Sequence, residues 1–273
     1  GAFIVWWYAA HMEVYYKSDC GSALSTQQSG LLQYDSVCIS HLKQNGVIYQ
    51  FMIEVKNLNK KYKNAVLKNL CLTADRGECI GIFGANGCGK TTLLEILSGS
   101  RKPDIGEISV FGKNPLKNKA VFSAYIGYVP QENPLIYDLS VKDNIRLWFD
   151  GNRSEFNALF EKGIVSHMGL KEIKNKRVDK ISGGMKRRLS IALALLKSPP
   201  VLLLDEPAAA LDLKVKAGIR NILKAYVKSG GTVIMTTHDE GDLSLFTRVM
   251  LMKDGKLKEL DSEISGSEII KQL

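Results

Sequence analysis

The stretch Gly84-Ala85-Asn86-Gly87-Cys88-Gly89-Lys90-Thr91-Thr92 constrains this 273-residue chain more than any other. It fits the pattern GxxxxGK[ST]. It stands between a short apolar run, Cys79-Ile80-Gly81-Ile82-Phe83, and a segment in which Leu93, Leu94 and Leu97 share a helical face. Glycines in such a loop let backbone N–H groups converge on phosphate oxygens with no side chain in the way. The helix that follows turns its free N–H groups and the positive end of its dipole toward the same anion. Lys90 supplies a point charge for the outer phosphates, and the Thr91 hydroxyl suits a magnesium ion. Asn86, Gly87, Cys88, Gly89 and Thr92 complete the cradle, with Cys88 read as a small filler. Such a loop needs a strand, a tight turn and a helix in that order, which already favours an α/β fold.

Two further runs, Val201-Leu202-Leu203-Leu204 and Thr232-Val233-Ile234-Met235, are apolar without alternation. Strands covered on both faces look like this, so a parallel sheet with helices on either side is expected. Ile191 to Leu196 reads as a buried helical segment that stops before Pro199-Pro200. The first run ends in Asp205-Glu206-Pro207, at the carboxyl edge where open α/β sheets bind their ligands. Asp205 is placed to hold a magnesium shell, and Glu206 to orient or deprotonate an attacking water. Pro207 stops the strand.

Composition narrows the class. The formal charge is +9, from 37 Lys and Arg against 28 Asp and Glu, which suits an anionic partner or simply a solvated surface. Five cysteines form no CxxC pair, so a disulfide framework or zinc ribbon is disfavoured and a reducing compartment favoured. Cys38 and His41 have ligand-like spacing, but no second pair follows. No apolar run approaches the roughly 18–20 residues that span a bilayer. The chain changes character near residue 51. Residues 1–51 are poor in charge, and Met52-Ile53-Glu54-Val55-Lys56-Asn57-Leu58 then alternates like a half-buried strand. Residues 1–51 are therefore expected to be a non-native extension, with a docking or regulatory arm as the alternative, and residues 52–273 the domain.

Between the phosphate loop and the acidic strand end lies Ile181-Ser182-Gly183-Gly184-Met185-Lys186-Arg187-Arg188-Leu189. This segment resembles the signature of ATP-binding cassette ATPases, the nucleotide-binding subunits of ABC transporters. Other motifs follow in that family's order. Tyr62 resembles the aromatic that stacks on adenine, Gln131 in Val129-Pro130-Gln131-Glu132 the Q-loop glutamine, Asp212 the D-loop aspartate, and His238 the switch histidine. The likeness covers residues 52–273 and none of 1–51.

The resemblance implies a P-loop NTPase fold of ABC type, with a parallel-sheet core, an antiparallel β subdomain and an α-helical subdomain. It implies ATP and Mg²⁺, the ion held by Thr91, Gln131 and Asp205. It implies Glu206, His238, Gln131 and Lys90 as the hydrolytic set, with Ser182, Gly183 and Gly184 facing ATP held by a second ATPase subunit. Integral membrane permease subunits become the partners, and the chain is expected on the cytoplasmic face of the membrane. Met185, where many members carry Gln, and the Met-Lys-Arg-Arg continuation resemble the branch that exports drugs, lipids and antibiotics. Ala208-Ala209 replaces the more usual hydroxyl residues. No C-terminal regulatory domain is expected. A soluble cassette acting on nucleic acid or the ribosome is disfavoured, because only about 90 residues separate phosphate loop and signature, with no sustained heptads. His167 reads as structural, and the basic run Lys171 to Lys180 as a solvated face or a contact for acidic lipid.

Overall fold

The computed structural model describes residues 43–44, 47–48, 52–209, 211–261 and 264–272. Of residues 1–51, only a short antiparallel pair falls within them, β1 (Lys43–Gln44) with β2 (Val47–Ile48). Cys38, His41 and Ala210 lie outside the described residues.

The alternating segment after Met52 forms β3 (Ile53–Lys61), which folds back as β4 (Ala65–Ala74) and also pairs with β6 (Ile105–Val110). The result is a three-stranded antiparallel sheet in the order β4-β3-β6. Ile53, Val55 and Leu58 are buried, so the expected period of two holds as far as Val55 and then slips. Asn57 takes a left-handed backbone, φ 51°, and the register shifts beside it. Asparagine tolerates that conformation better than a branched residue would, and the bulge returns Leu58 to the buried face.

The second sheet has six strands in the order β11-β10-β5-β9-β8-β7. Four of these carry the site: β5 (Cys79–Gly84), β7 (Ile126–Val129), β8 (Val201–Asp205) and β9 (Thr232–Thr236). All of their neighbour pairings are parallel, as is that of β5 with β10 (Arg248–Lys253); only β11 (Lys256–Leu260) runs antiparallel, against β10. The apolar runs are buried on both faces, as parallel pairing demands. Val201, Leu203, Ile80, Ile82 and Ile234 face α1 (Lys90–Leu97), α2 (Ala120–Tyr125) and the antiparallel sheet. Leu202, Leu204, Val233 and Met235 face the opposite core, built with helices α3 (Val141–Trp148), α4 (Arg153–Glu161), α6 (Gly183–Leu195) and α7 (Leu213–Lys228).

Polar residues start the helices of that region. Ser140 caps α3, and Asn152 with Glu155 forms a reciprocal capping box on α4. Helix α5 (Ile164–His167) is short, and Gly169 with φ 69° turns the chain away. His167 Nδ1 sits 2.8 Å from the Gly163 carbonyl, a local structural bond. The basic run carries surface ion pairs, Lys171 to Glu161 at 2.5 Å and Arg177 to Asp138 at 2.6 Å. Among the described residues no helix is long and apolar enough to cross a membrane.

Leu203 is fully buried at the centre of β8. Leu203→Ala should lower unfolding free energy by roughly 2–5 kcal/mol, read from denaturant midpoints; a midpoint equal to wild type would contradict a core packed on both faces of the sheet.

Candidate active site

Parallel register decides where the chemistry collects. Ile82 and Asp205 both lie opposite Thr236, and Val129 lies opposite Leu204. The strands β5, β9, β8 and β7 therefore finish side by side along one edge. The residues just past those ends are the phosphate loop, His238, Glu206 and Gln131. Motifs separated by more than a hundred residues become neighbours for this reason alone.

The loop after β5 needs its glycines. Gly87 and Gly89 have φ 78° and 116°, conformations that L side chains rarely adopt. A Cβ on Gly89 would also lie 3.0 Å from the Val66 carbonyl and from Leu67 Cδ2, so the hairpin of β3 and β4 borders the loop. Gly89 is the N-cap of α1, and no side chain caps that helix or places an acid in its first turn. Its orphan N–H groups and dipole are left to favour an anion. Lys90 is 5% exposed, and its Nζ donates to the carbonyls of Gly84 at 2.7 Å and Ala85 at 3.2 Å. Asn86 and Thr91 are exposed, and Cys88 and Thr92 half-buried.

Asp205 closes β8, 1% exposed, and its Oδ1 accepts the Thr236 hydroxyl at 2.6 Å. Its Oδ2 is buried without a hydrogen-bond partner among the described residues. An uncompensated carboxylate oxygen is costly in such surroundings, and a cation is the partner it fits. No group of three or more His, Cys, Asp or Glu able to cage a metal occurs among the described residues. Mg²⁺ is commonly held by one or two protein groups together with phosphate oxygens, and Asp205 is a donor of that kind.

Glu206 departs from the strand with φ 46°, an unusual backbone for a non-glycine residue. Its N–H donates to Thr236 Oγ1 at 3.0 Å and to the Thr236 carbonyl at 3.2 Å, which fixes the turn. The carboxylate lies between two side chains: Gln131 Nε2 donates to Oε2 at 3.2 Å, and His238 Nε2 is 3.0 Å from Oε1. The same His238 nitrogen is 3.2 Å from Lys90 Nζ. An ammonium can only donate, so this nitrogen cannot accept from Lys90 and donate to Glu206 at once. His238 therefore chooses between a partner on the phosphate loop and one at the acidic strand end. A cavity of about 430 Å³ opens beside this group, lined by Glu206, Ala208, Ala209, Lys216, Thr237 and His238 among others.

Salt links hold the histidine turn from behind. Lys216 Nζ is 2.7 Å from Asp239, and Arg220 Nε donates to the buried Asp242 at 2.6 Å. Thr237 donates to the other Asp242 oxygen at 2.6 Å. The hydrogen bond from Lys216 holds the Asp239 carboxyl below the usual carboxylate range, against the opposing effect of burial. Lys216 and Arg220 belong to α7, whose N-cap is Asp212, accepting from the Val215 N–H at 2.9 Å.

Two of the expected groups stand apart from this cluster. Tyr62 sits in the turn between β3 and β4, 47% exposed, with Arg101 Cζ 5.3 Å and Lys60 Nζ 5.7 Å from its ring centroid. Ser182 and Gly183 are exposed at the start of α6, the Ser182 hydroxyl accepting from the Met185 N–H at 3.3 Å. Gly184 is buried, and a Cβ there would lie 2.9 Å from Val215 Cγ2 of α7.

Arg187, which the motif reading left aside, is 4% exposed and reaches carbonyls on both sides of the acidic strand end. The motif reading passed over Lys216, Arg220 and Asp242 as well. The signal for Arg187 was present: with Gly184, Ile191 and Leu195 it makes an i, i+3, i+7, i+11 stripe, and that stripe is the buried face of α6.

A family model described as ABC transporter matches residues 67–209. The chain belongs to the ABC transporter family. It is 36% identical over 214 residues to the spermidine/putrescine import ATP-binding protein PotA of Spiroplasma citri, across 77% of this chain and 61% of that protein. It is 35% identical over 219 residues to the bacitracin export ATP-binding protein BceA of Halalkalibacterium halodurans, across 76% of this chain and 87% of that one. It spans only 29% of the larger ABC transporter G family member 20 of Dictyostelium discoideum. In structure it is similar to the dimeric, post-hydrolysis form of the ATP-binding cassette MJ0796 bound to ADP and Pi. That match has TM-score 0.71 and 29% identity, over 78% of this chain and all of the other. The fold is thus that of an ABC ATP-binding cassette.

Replacing Lys90 with Ala should weaken binding of a fluorescent ATP analogue tenfold or more, about 1.4 kcal/mol, while the thermal midpoint stays near wild type. Unchanged affinity would detach the glycine loop from phosphate binding.

Proposed function

We propose that this cassette hydrolyses ATP and is the energy-supplying subunit of a transporter, working against separate integral membrane permease subunits on the cytoplasmic face of the membrane. The observation that carries the reading is the meeting of Lys90, Gln131, Glu206 and His238 at the ends of neighbouring parallel strands. Glu206 takes the proton of an attacking water, and its backbone anchorage to Thr236 sets the direction of attack. His238 holds the outer phosphate and the same water. Lys90, the loop N–H groups and the start of α1 hold the phosphates, and the exposed Tyr62 stacks on the adenine. Thr91, Asp205 and Gln131 hold Mg²⁺; Gln131 donates to Glu206 through its amide nitrogen, which leaves its amide oxygen for the ion. When bound, Mg²⁺ neutralises phosphate charge and favours departure of the leaving group.

Ser182 and Gly183 are exposed at a helix start, a second place suited to an anion. They are proposed to face the nucleotide of a second ATPase subunit, so that ATP closes the pair and hydrolysis reopens it. The dimeric structures of the similar cassette MJ0796 support this arrangement. The relatives include an importer and an exporter. The export direction is favoured by the Met185-Lys186-Arg187-Arg188 continuation. Nucleic acid is not among the proposed partners.

Glu206→Gln should lower phosphate release at least a hundredfold, about 2.7 kcal/mol in barrier, with ATP affinity preserved. The same variant should elute as a dimer in Mg²⁺ and ATP. Turnover at the wild-type rate would remove Glu206 from the chemistry, and a variant that stays monomeric would remove the shared site.

A further inference from the structure

Arg187 is the most heavily engaged buried cation near the site that none of the roles above uses. Nε donates to the Pro207 carbonyl at 3.0 Å, and Nη2 to the Asp205 carbonyl at 2.7 Å. Nη1 reaches the Pro130 carbonyl at 2.5 Å, the Gln131 carbonyl at 3.3 Å and Asn133 Oδ1 at 3.4 Å. Asn133 Oδ1 also accepts the Ser190 hydroxyl at 3.0 Å, one turn further along α6. One planar group thus spans the backbone on both sides of Glu206 and the backbone of Gln131. These are the two residues whose side chains meet at 3.2 Å. Burial lowers the guanidinium to about 10, with Asp205, Tyr128 and Glu206 acting in the opposite direction, so it stays a cation at neutral pH.

Burying a charge on carbonyl dipoles, with no direct carboxylate partner among the described residues, is costly and makes poor sense as a device for stability. It makes better sense as a device for geometry. A guanidinium offers five donors in one rigid plane, whereas an ammonium offers three on a flexible stem. Arg187 sits on α6 one turn past Gly184, and α6 starts at Ser182 and Gly183, the exposed turn assigned to the second nucleotide. A tilt or shift of α6 on engagement therefore pulls directly on the carbonyls that orient Glu206 and Gln131.

We propose that Arg187 is a positioning residue that transmits engagement of the Ser182-Gly183-Gly184 turn to the alignment of Glu206 and Gln131, without touching nucleotide. The proposal rests on ATP hydrolysis by this site. Arg187→Lys keeps the charge and loses the fork. It should preserve affinity for the fluorescent ATP analogue within about twofold and the thermal midpoint within a few degrees. The rate of phosphate release at saturating ATP should fall tenfold or more, and the Mg²⁺ concentration for half-maximal rate should rise severalfold. Asn133→Ala, which leaves every backbone acceptor in place, should show the same split more weakly. A wild type that releases no phosphate would overturn the hydrolytic reading, and the proposal with it. An active wild type with an unimpaired Arg187→Lys overturns the proposal alone. So does an Arg187→Lys whose affinity, midpoint and rate fall together, because that pattern marks a merely structural residue; if that variant is unfolded, an Asn133→Ala with unaltered rate and Mg²⁺ dependence does the same.

Discussion

Parallel strands that lie side by side must all present their carboxyl ends to one edge of the sheet, and in this chain β5, β9, β8 and β7 do so in unbroken sequence. The arrangement rests on burial of both sheet faces, which lets Val201 to Leu204 and Val233 to Met235 run apolar without interruption. Each strand then hands over to a loop at the same height. The tie between Asp205 and Thr236 at 2.6 Å runs across that edge, and the Glu206 N–H is anchored to the same threonine. Slipping either strand by one residue would invert its core faces and pull these groups apart together. Site geometry and core packing are therefore one constraint.

Charge is arranged around the edge in opposed pairs. Lys90 lies on the loop side and Glu206 on the strand side of His238. Behind the strand end sits Arg187, turned toward carbonyl oxygens, while one Asp205 carboxylate oxygen has no hydrogen-bond partner among the described residues. Further out, Lys216 and Arg220 brace the histidine turn through Asp239 and Asp242. Buried ions of this kind contribute little to stability relative to an apolar filling, but they fix directions. Direction is what the proposed water attack and phosphate binding demand.

Much of this was readable from the chain. The phosphate loop, the apolar runs and the acidic strand end each state their local structure through residue type and period, and a parallel sheet follows from them. The order of motifs identified the family. What was missed or could not be read lies where a residue obeys its neighbours rather than its own preference. Asn57 interrupts a period-two pattern because a bulge corrects the face of Leu58. Arg187, in the run Lys186-Arg187-Arg188, looks like a solvated surface residue until the helical stripe it belongs to is seen to be buried. Ion pairs between α7 and the turn after β9 join residues about twenty apart, and such links have no periodic trace in sequence.

The left-handed turn at Glu206 bears on why this position is a glutamate. Aspartate adopts φ near 46° more readily, and glycine more readily still. Either would relax the backbone, yet aspartate is shorter by one methylene, roughly 1.5 Å, and would withdraw its oxygens from both Gln131 and His238. Reach has outweighed conformational ease at this point of the chain. The residue best suited to the corner is not the one best suited to the task beyond it.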